Sequence, residues 1–302
     1  MSPAPQGPPI MVPYTTILTH PGSAHKDDFL ACCVLLAHAP APILRREPTA
    51  EDLQNAATVV VDVGDSHDTK LNNFDHHHLP DDADPVCALS LVLKALNLYE
   101  DARSFCDWLE PAEWFDCRGP NATAKLLNVP RAAVNQLSSP IDGTMLRCFA
   151  AKSRHAAGEP LWEMMRQVGQ DLLDYLRNLR ARLDFIEQHA ELWTLQVNEG
   201  ALESAPQVLF LPRTDPLPEE PSSGIDRYIV EKGLNNIVVA IVSPDRRGAG
   251  YGLSRHRDHP HFDFTKITEE PDVHFAHKRG FVAKTSATTE GRLGELLEKA
   301  TA

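Results

Sequence analysis

Thr58-Val59-Val60-Val61-Asp62-Val63-Gly64 decides the fold. Its unbroken run of β-branched residues predicts a strand buried on both faces, as in a parallel sheet. Asp62 sits near the carboxyl end of that strand, and Gly64 permits the turn that follows. Open α/β sheets bind their ligands at this edge. Upstream, residues 15–19 predict a short buried strand, Pro21-Gly22-Ser23 a turn, and residues 29–37 a helix preceded by Asp27 and Asp28. His20, His25 and Asp27 therefore lie on a strand-to-helix loop at the same edge as Asp62. Residues 43–44 predict another strand and residues 51–57 a helical turn or two. The expected class is α/β, with an N-terminal parallel-sheet domain, a long connector helix and a smaller C-terminal α+β domain.

Downstream, Phe74-Asp75-His76-His77-His78 places three consecutive histidines behind an aspartate. Imidazole and carboxylate together are the ligand set of a divalent metal site. A single histidine reads most simply as a satisfied structural residue. That reading weakens where His20, His25, Asp27, Asp62 and His76 can converge. A carboxylate such as Asp62 can bridge two cations about 3.5–4 Å apart, an arrangement suited to phosphoryl hydrolysis. Carboxylates are plentiful and no cysteine joins the set, which favours Mn²⁺ or Mg²⁺, two per chain, over structural Zn²⁺. By contrast, His38, His67, His155 and His189 read as incidental, and His256, His259 and His261 as solvated residues of a polar loop. Residues 86–98 and 103–115 predict helices. Asp116, ahead of Gly119-Pro120, reads from the sequence alone as a solvated loop acid.

The chain has 302 residues, enough for two domains. Leu161, Met165, Val168, Leu172, Leu176, Leu179, Leu183, Ile186 and Ala190 fall at steps of three or four after Pro160, predicting one long amphipathic helix. The expected division is a Pro-rich disordered tail over 1–14, a catalytic domain over 15–155, the connector over 156–195 and a substrate-binding domain over 196–302. In the last, residues 213–224 predict a loop, 237–242 and 251–254 paired strands, and 289–299 a helix. Net charge is −13, which argues against a protein that grips long duplexes. Six cysteines without a C-x-x-C pair do not form a disulfide framework, and no apolar run is long enough for a membrane span. The N-terminal residues lack the pattern of an export signal, so the expected location is the cytoplasm.

Asp75-His76-His77 is the name-giving motif of the DHH phosphoesterase superfamily. Thr19, His20, Gly22, His25, Asp27 and Asp28, followed by Val60-Val61-Asp62-Val63-Gly64, resemble the first two motifs of its melanocyte-proliferating-gene family. Val273-His274-Phe275-Ala276-His277-Lys278-Arg279-Gly280-Phe281 resembles that family's C-terminal segment. The resemblance implies that His20, His25 and Asp62 hold one metal and that Asp27, Asp62, His76 and Asp116 hold the other. It further implies that His77 faces a substrate phosphate and that Asp75 orients His76. Two departures stand out. Asp116 is followed by Cys117-Arg118-Gly119 where the family has aspartate-asparagine-glycine, and Ala283-Lys284 replaces a glycine pair. Lys278, Arg279 and Lys284 flank Gly280, where backbone N–H groups can approach phosphate, and His277 is a further substrate contact. The expected activity is metal-dependent hydrolysis of phosphodiester bonds in short single-stranded nucleic acid, RNA included. The alternatives are hydrolysis of a small phosphoanhydride or cyclic nucleotide, and a non-catalytic metal-binding regulatory role. No membrane partner is expected, and a homodimer is left open.

Overall fold

The computed structural model describes residues 11–80, 82–136, 139–194 and 206–301. They form two compact units, divided between Asn178 and Leu179.

The first unit runs β1 (Thr16–Thr19), α1 (Lys26–His38), β2 (Ile43–Arg45), α2 (Ala50–Gln54), β3 (Thr58–Val61), β4 (His67–Asp68), β5 (Asn73–Phe74). It continues with α3 (Ala88–Ala95), α4 (Tyr99–Phe105), α5 (Leu109–Leu126), α6 (Arg131–Gln136), α7 (Pro140–Ala150), β6 (Arg154–His155) and most of α8 (Pro160–His189). The sheet order is β4-β5-β3-β1-β2-β6. β1 is parallel to β2 and β3, and β3 to β5, while β4 and β6 add antiparallel edges. Every residue of β3 is buried, as its β-branched run requires. α1 is buried almost all round, from Phe29 to Leu36, and opens with Asp27 and Asp28 at its positive end. Register then fixes the site: Thr19 pairs with Val61, and Val61 with Phe74. The residues that follow them, His20, Asp62 and Asp75, thus emerge side by side at the carboxyl edge.

Several expectations change. The region expected as one helix over 103–115 is two, α4 and α5. Gly119-Pro120 kinks α5 without ending it: Gly119 takes φ 73°, and proline suits the first turn of the resumed helix. Asp116 is therefore a helical residue, not a loop acid. His155 is fully buried, its Nε2 2.9 Å from the Phe149 carbonyl and its ring stacked on Phe149. Of the expected tail, residues 1–10 lie outside the described residues. Val12 and Tyr14 belong to the fold, through bonds with Asn72 and with the Leu35 carbonyl.

In the second unit the last turns of α8 lead to β7 (Glu191–Thr194), β8 (Gln207–Phe210), α9 (Ile225–Glu231), β9 (Val238–Pro244), β10 (Tyr251–Arg255), β11 (Val273–Ala276), β12 (Val282–Thr285) and α10 (Glu290–Ala300). The expected boundary at 195/196 lies outside the described residues. The sheet order is β11-β12-β10-β9-β8-β7, with β8 and β9 parallel and the other pairs antiparallel. Phe262, Phe264, Ile267, Leu293, Leu296 and Leu297 pack against it as one core. His256, expected in solvent, is buried with its Nδ1 3.3 Å from Asp226 Oδ1.

α8 presses closely on α1. A Cβ on Gly169 would stand 1.9 Å from the Cys33 carbonyl oxygen, backbone that cannot yield cheaply. Gly169→Ala is expected to cost about 3 kcal/mol or more despite alanine's better helix propensity. Denaturant unfolding checks this; a stability equal to or above wild type would show that the two helices separate readily.

Candidate metal centre

Asp62 leaves β3 with φ 56°, a left-handed conformation that aspartate tolerates better than most residues. Its amide N–H donates to the Phe74 carbonyl, which holds it to the edge of β5. Gly64 completes the turn at φ 99°, where a Cβ would meet Leu53 Cδ2 at 2.9 Å. The buried Asp62 carboxylate then points its two oxygens different ways. Oδ1 is 3.1 Å from His76 Nε2, and Oδ2 is 3.5 Å from His20 Nε2.

The loop carrying His20 and His25 is tied down from below. Asp28 Oδ1 accepts from the backbone N–H groups of His25 and Phe29, capping α1, and its Oδ2 lies 3.2 Å from His20 Nε2. The buried Arg45 guanidinium of β2 donates to the Gly22 and Ser23 carbonyls and faces Asp28 at 3.9 Å. From α5, Asp116 reaches the cluster with Oδ2 3.1 Å from His76 Nε2 and Oδ1 4.0 Å from His25 Nδ1. Four sets of potential ligand atoms each fit within 4.8 Å: His20, His25 and Asp62; His25, Asp27 and Asp116; His76, Asp116 and Cys117; Asp62, Asp75, His76 and His77. These sets share members, so the edge holds one continuous donor cluster.

The cluster has the chemistry of a cation site. Asp27 is only 3% exposed, and neither carboxylate oxygen has a hydrogen-bond partner among the described residues. Burial raises its pKa well above the ordinary carboxylate range, and Asp62, Asp116 and Asp28 push it further. Burial also raises Asp62, with Asp116 adding to it, against the downward pull of the His76 bond. Contact with Asp28 lifts His20 to about 9. Burial pulls His76 down, but its bonds to Asp116 and Asp62 prevail and carry it to about 12. Without a metal, buried carboxylates here take up protons or charge the imidazoles beside them; a divalent cation held here would satisfy the same oxygens and nitrogens directly.

One assignment changes with the geometry: Asp75 holds the ring of His77, not that of His76. Its Oδ1 lies 2.6 Å from His77 Nδ1 and also accepts from the backbone N–H groups of His76 and His77, while Oδ2 accepts from Asp65 N–H. These bonds draw the Asp75 pKa down although burial opposes them. The group facing His76 Nδ1 is the Cys117 thiol, 3.8 Å away. Cys117 and Arg45 carry no signal of this role in sequence. Asp28 matched the first motif, and its capping bonds explain the pair of acids there.

Four of the C-terminal candidates, His277 to Gly280, lie on one turn of the second unit, and Lys284 follows in β12. Lys278 and Arg279 are exposed. His277 Nδ1 accepts from Arg279 N–H at 3.2 Å, and its ring lies against Phe281. Gly280 has φ 67°, and a Cβ there would strike Asp263 Oδ1 at 2.1 Å. Its amide donates to the His277 carbonyl at 2.7 Å, so it closes the turn and is not offered to a phosphate. Lys284 is likewise engaged, paired with Asp245 Oδ1 at 2.9 Å.

A cavity of about 340 Å³ opens over the cluster, lined by His20, Ser23, His25, Glu47, Asp62 and His77 among others. A larger hollow, about 750 Å³, runs along residues 121–131 and, among the described residues, is lined by no His, Cys, Asp or Glu side chain.

The raised His20 pKa sets an expectation for chelator-treated protein. A histidine raised on folding stabilises fully below its unfolded value near 6.5, and that stability is lost as pH climbs through the folded value of about 9. His76, raised to about 12, adds to the same slope, so stability should fall by on the order of a few kcal/mol between about pH 6.5 and 9, and Mn²⁺ should abolish the slope. Denaturant melts across that range check it; a flat metal-free profile would mean that neither His20 nor His76 gains a proton on folding.

No curated protein matches the chain. Among protein families, residues 16–82 match the model titled MYG1_exonuc and described as Uncharacterised protein family (UPF0160). The matched segment, similar to an exonuclease-titled family, carries His20, His25, Asp27, Asp62 and the Asp75-His76-His77 run.

Proposed function

We propose that this protein is a two-metal phosphodiesterase that removes nucleotides from short single-stranded nucleic acid, RNA included. The observation that carries this reading is the Asp62 carboxylate, whose separate oxygens face His20 and His76. In it, His20, His25 and Asp62 hold one cation; Asp27, Asp62, His76 and Asp116 hold the other. Mn²⁺ or Mg²⁺ suits this oxygen-rich set. When bound, such ions neutralise phosphoryl charge and acidify water.

The protein's own part is positioning and proton control. Asp75, held by three backbone N–H groups, stays ionised and can only accept, so His77 Nδ1 carries the proton. The half-exposed His77 ring lines the cavity with Nδ1–H given to Asp75, and as the imidazolium it donates Nε2–H to a phosphoryl oxygen. Glu47 and Asp65, also on the wall, disfavour additional phosphates deep in the cavity. Exposed Lys278 and Arg279 are proposed to hold phosphates away from the scissile bond. The modest cavity, with no Lys or Arg among its described lining residues, favours as a second reading a small phosphoanhydride or cyclic nucleotide.

Asp62→Asn keeps the side chain's shape but loses its charge. Mn²⁺-dependent hydrolysis should fall roughly a thousandfold or more. Oligonucleotide and small-phosphate assays of folded mutant protein check this; near-normal turnover would make Asp62 structural. Lys278→Ala and Arg279→Ala should raise KM for an oligonucleotide with little change in kcat, and leave a mononucleotide-sized substrate unaffected. Unchanged KM for both substrates would remove that turn from substrate binding.

A further inference from the structure

Metal-ligating histidines usually donate their second ring N–H to a carboxylate or carbonyl, which fixes the tautomer. His76 has a different neighbour. Its Nε2 faces Asp62 Oδ1 and Asp116 Oδ2, each at 3.1 Å, so Nε2 is the nitrogen aimed into the donor cluster. Its Nδ1 faces Cys117 Sγ at 3.8 Å. The same sulfur lies 3.4 Å from the Val86 carbonyl oxygen. A carbonyl only accepts, so the thiol S–H must donate to Val86, leaving the sulfur lone pairs for the ring. The order of donors is therefore His76 Nδ1–H to Cys117 Sγ, and Cys117 S–H to the Val86 carbonyl. With a cation in place of the Nε2 proton, it leaves the Nε2 lone pair for that cation. Asp27, deeply buried beside His76 with both oxygens unpartnered, independently points to a cation there.

We infer that Cys117 is the positioning residue of the metal centre: its thiol, relayed to the Val86 carbonyl, sets the tautomer and tilt of His76. The inference rests on the two-metal reading and adds to it the group that orients the ligand. It also gives the Cys117 departure from the family's motif a physical role. Half-buried Cys117 holds one end of α5's contact with the histidine, next to Asp116.

The test compares wild type, Cys117→Ala and Cys117→Ser by calorimetric titration with Mn²⁺, and by ¹⁵N correlation spectra of the His76 ring in Mg²⁺-loaded protein. Alanine removes the acceptor; serine can both accept from Nδ1–H and donate to the carbonyl. The expected result is about 10–100-fold weaker binding of one Mn²⁺ in Cys117→Ala, with substantial recovery in Cys117→Ser. Wild type and Cys117→Ser should show the Nδ1–H tautomer, and Cys117→Ala a mixture. If wild type binds Mn²⁺ and Cys117→Ala matches it in affinity and ring spectrum, the thiol is only a packing group and the inference is wrong. If wild type binds no Mn²⁺, the metal reading fails and this inference falls with it.

Discussion

The burial of several carboxylates at one sheet edge is the constraint on which the first unit depends. Asp27, Asp28 and Asp62 are each nearly or wholly removed from solvent. An unpaired buried carboxylate is costly, so each needs a partner. Asp28 finds backbone N–H groups at the start of α1 and the guanidinium of Arg45 nearby. Asp62 finds two imidazoles. Asp27 finds nothing among the described residues, and its environment makes ionisation without a cation unfavourable. The fold holds these groups together by strand register, not by their attraction for one another.

That register is local and economical. Three parallel strands end level, and the residue after each is His20, Asp62 or Asp75. Loop conformation does the rest: Asp62 in the left-handed region and Gly64 against Leu53 turn the chain back before it leaves the edge. α5 then delivers Asp116 and Cys117 as consecutive residues, one to His76 Nε2 and the other to Nδ1. A single histidine is thereby gripped at both nitrogens from one helix.

Much of this was legible in the sequence. The β-branched run over 58–61 and Asp62 after it specify a buried parallel strand with a carboxylate at its end, because side-chain pattern and edge position are properties of short segments. The three-four spacing after Pro160 specifies α8 for the same reason. Asp116 was not legible as a helical residue. Gly119-Pro120 ordinarily signals a stop, and only the positive φ at Gly119 reveals a kink followed by a new helical start. The partner of Asp75 was equally hidden: spacing places His76 and His77 within reach, but ring direction decides that His77 takes the bond. Lys284 and Gly280 look like phosphate contacts until Asp245 and the His277 carbonyl, both fixed by tertiary structure, are seen to occupy them.

The central claim is that Asp62 joins two divalent ions. Electron paramagnetic resonance of the wild-type protein titrated with Mn²⁺ tests it most directly, because two ions sharing a carboxylate are magnetically coupled and isolated ions are not. The account predicts a coupled dimanganese signal that grows to two ions per chain and disappears in Asp62→Asn. Binding of one ion, or of two without coupling, would contradict it.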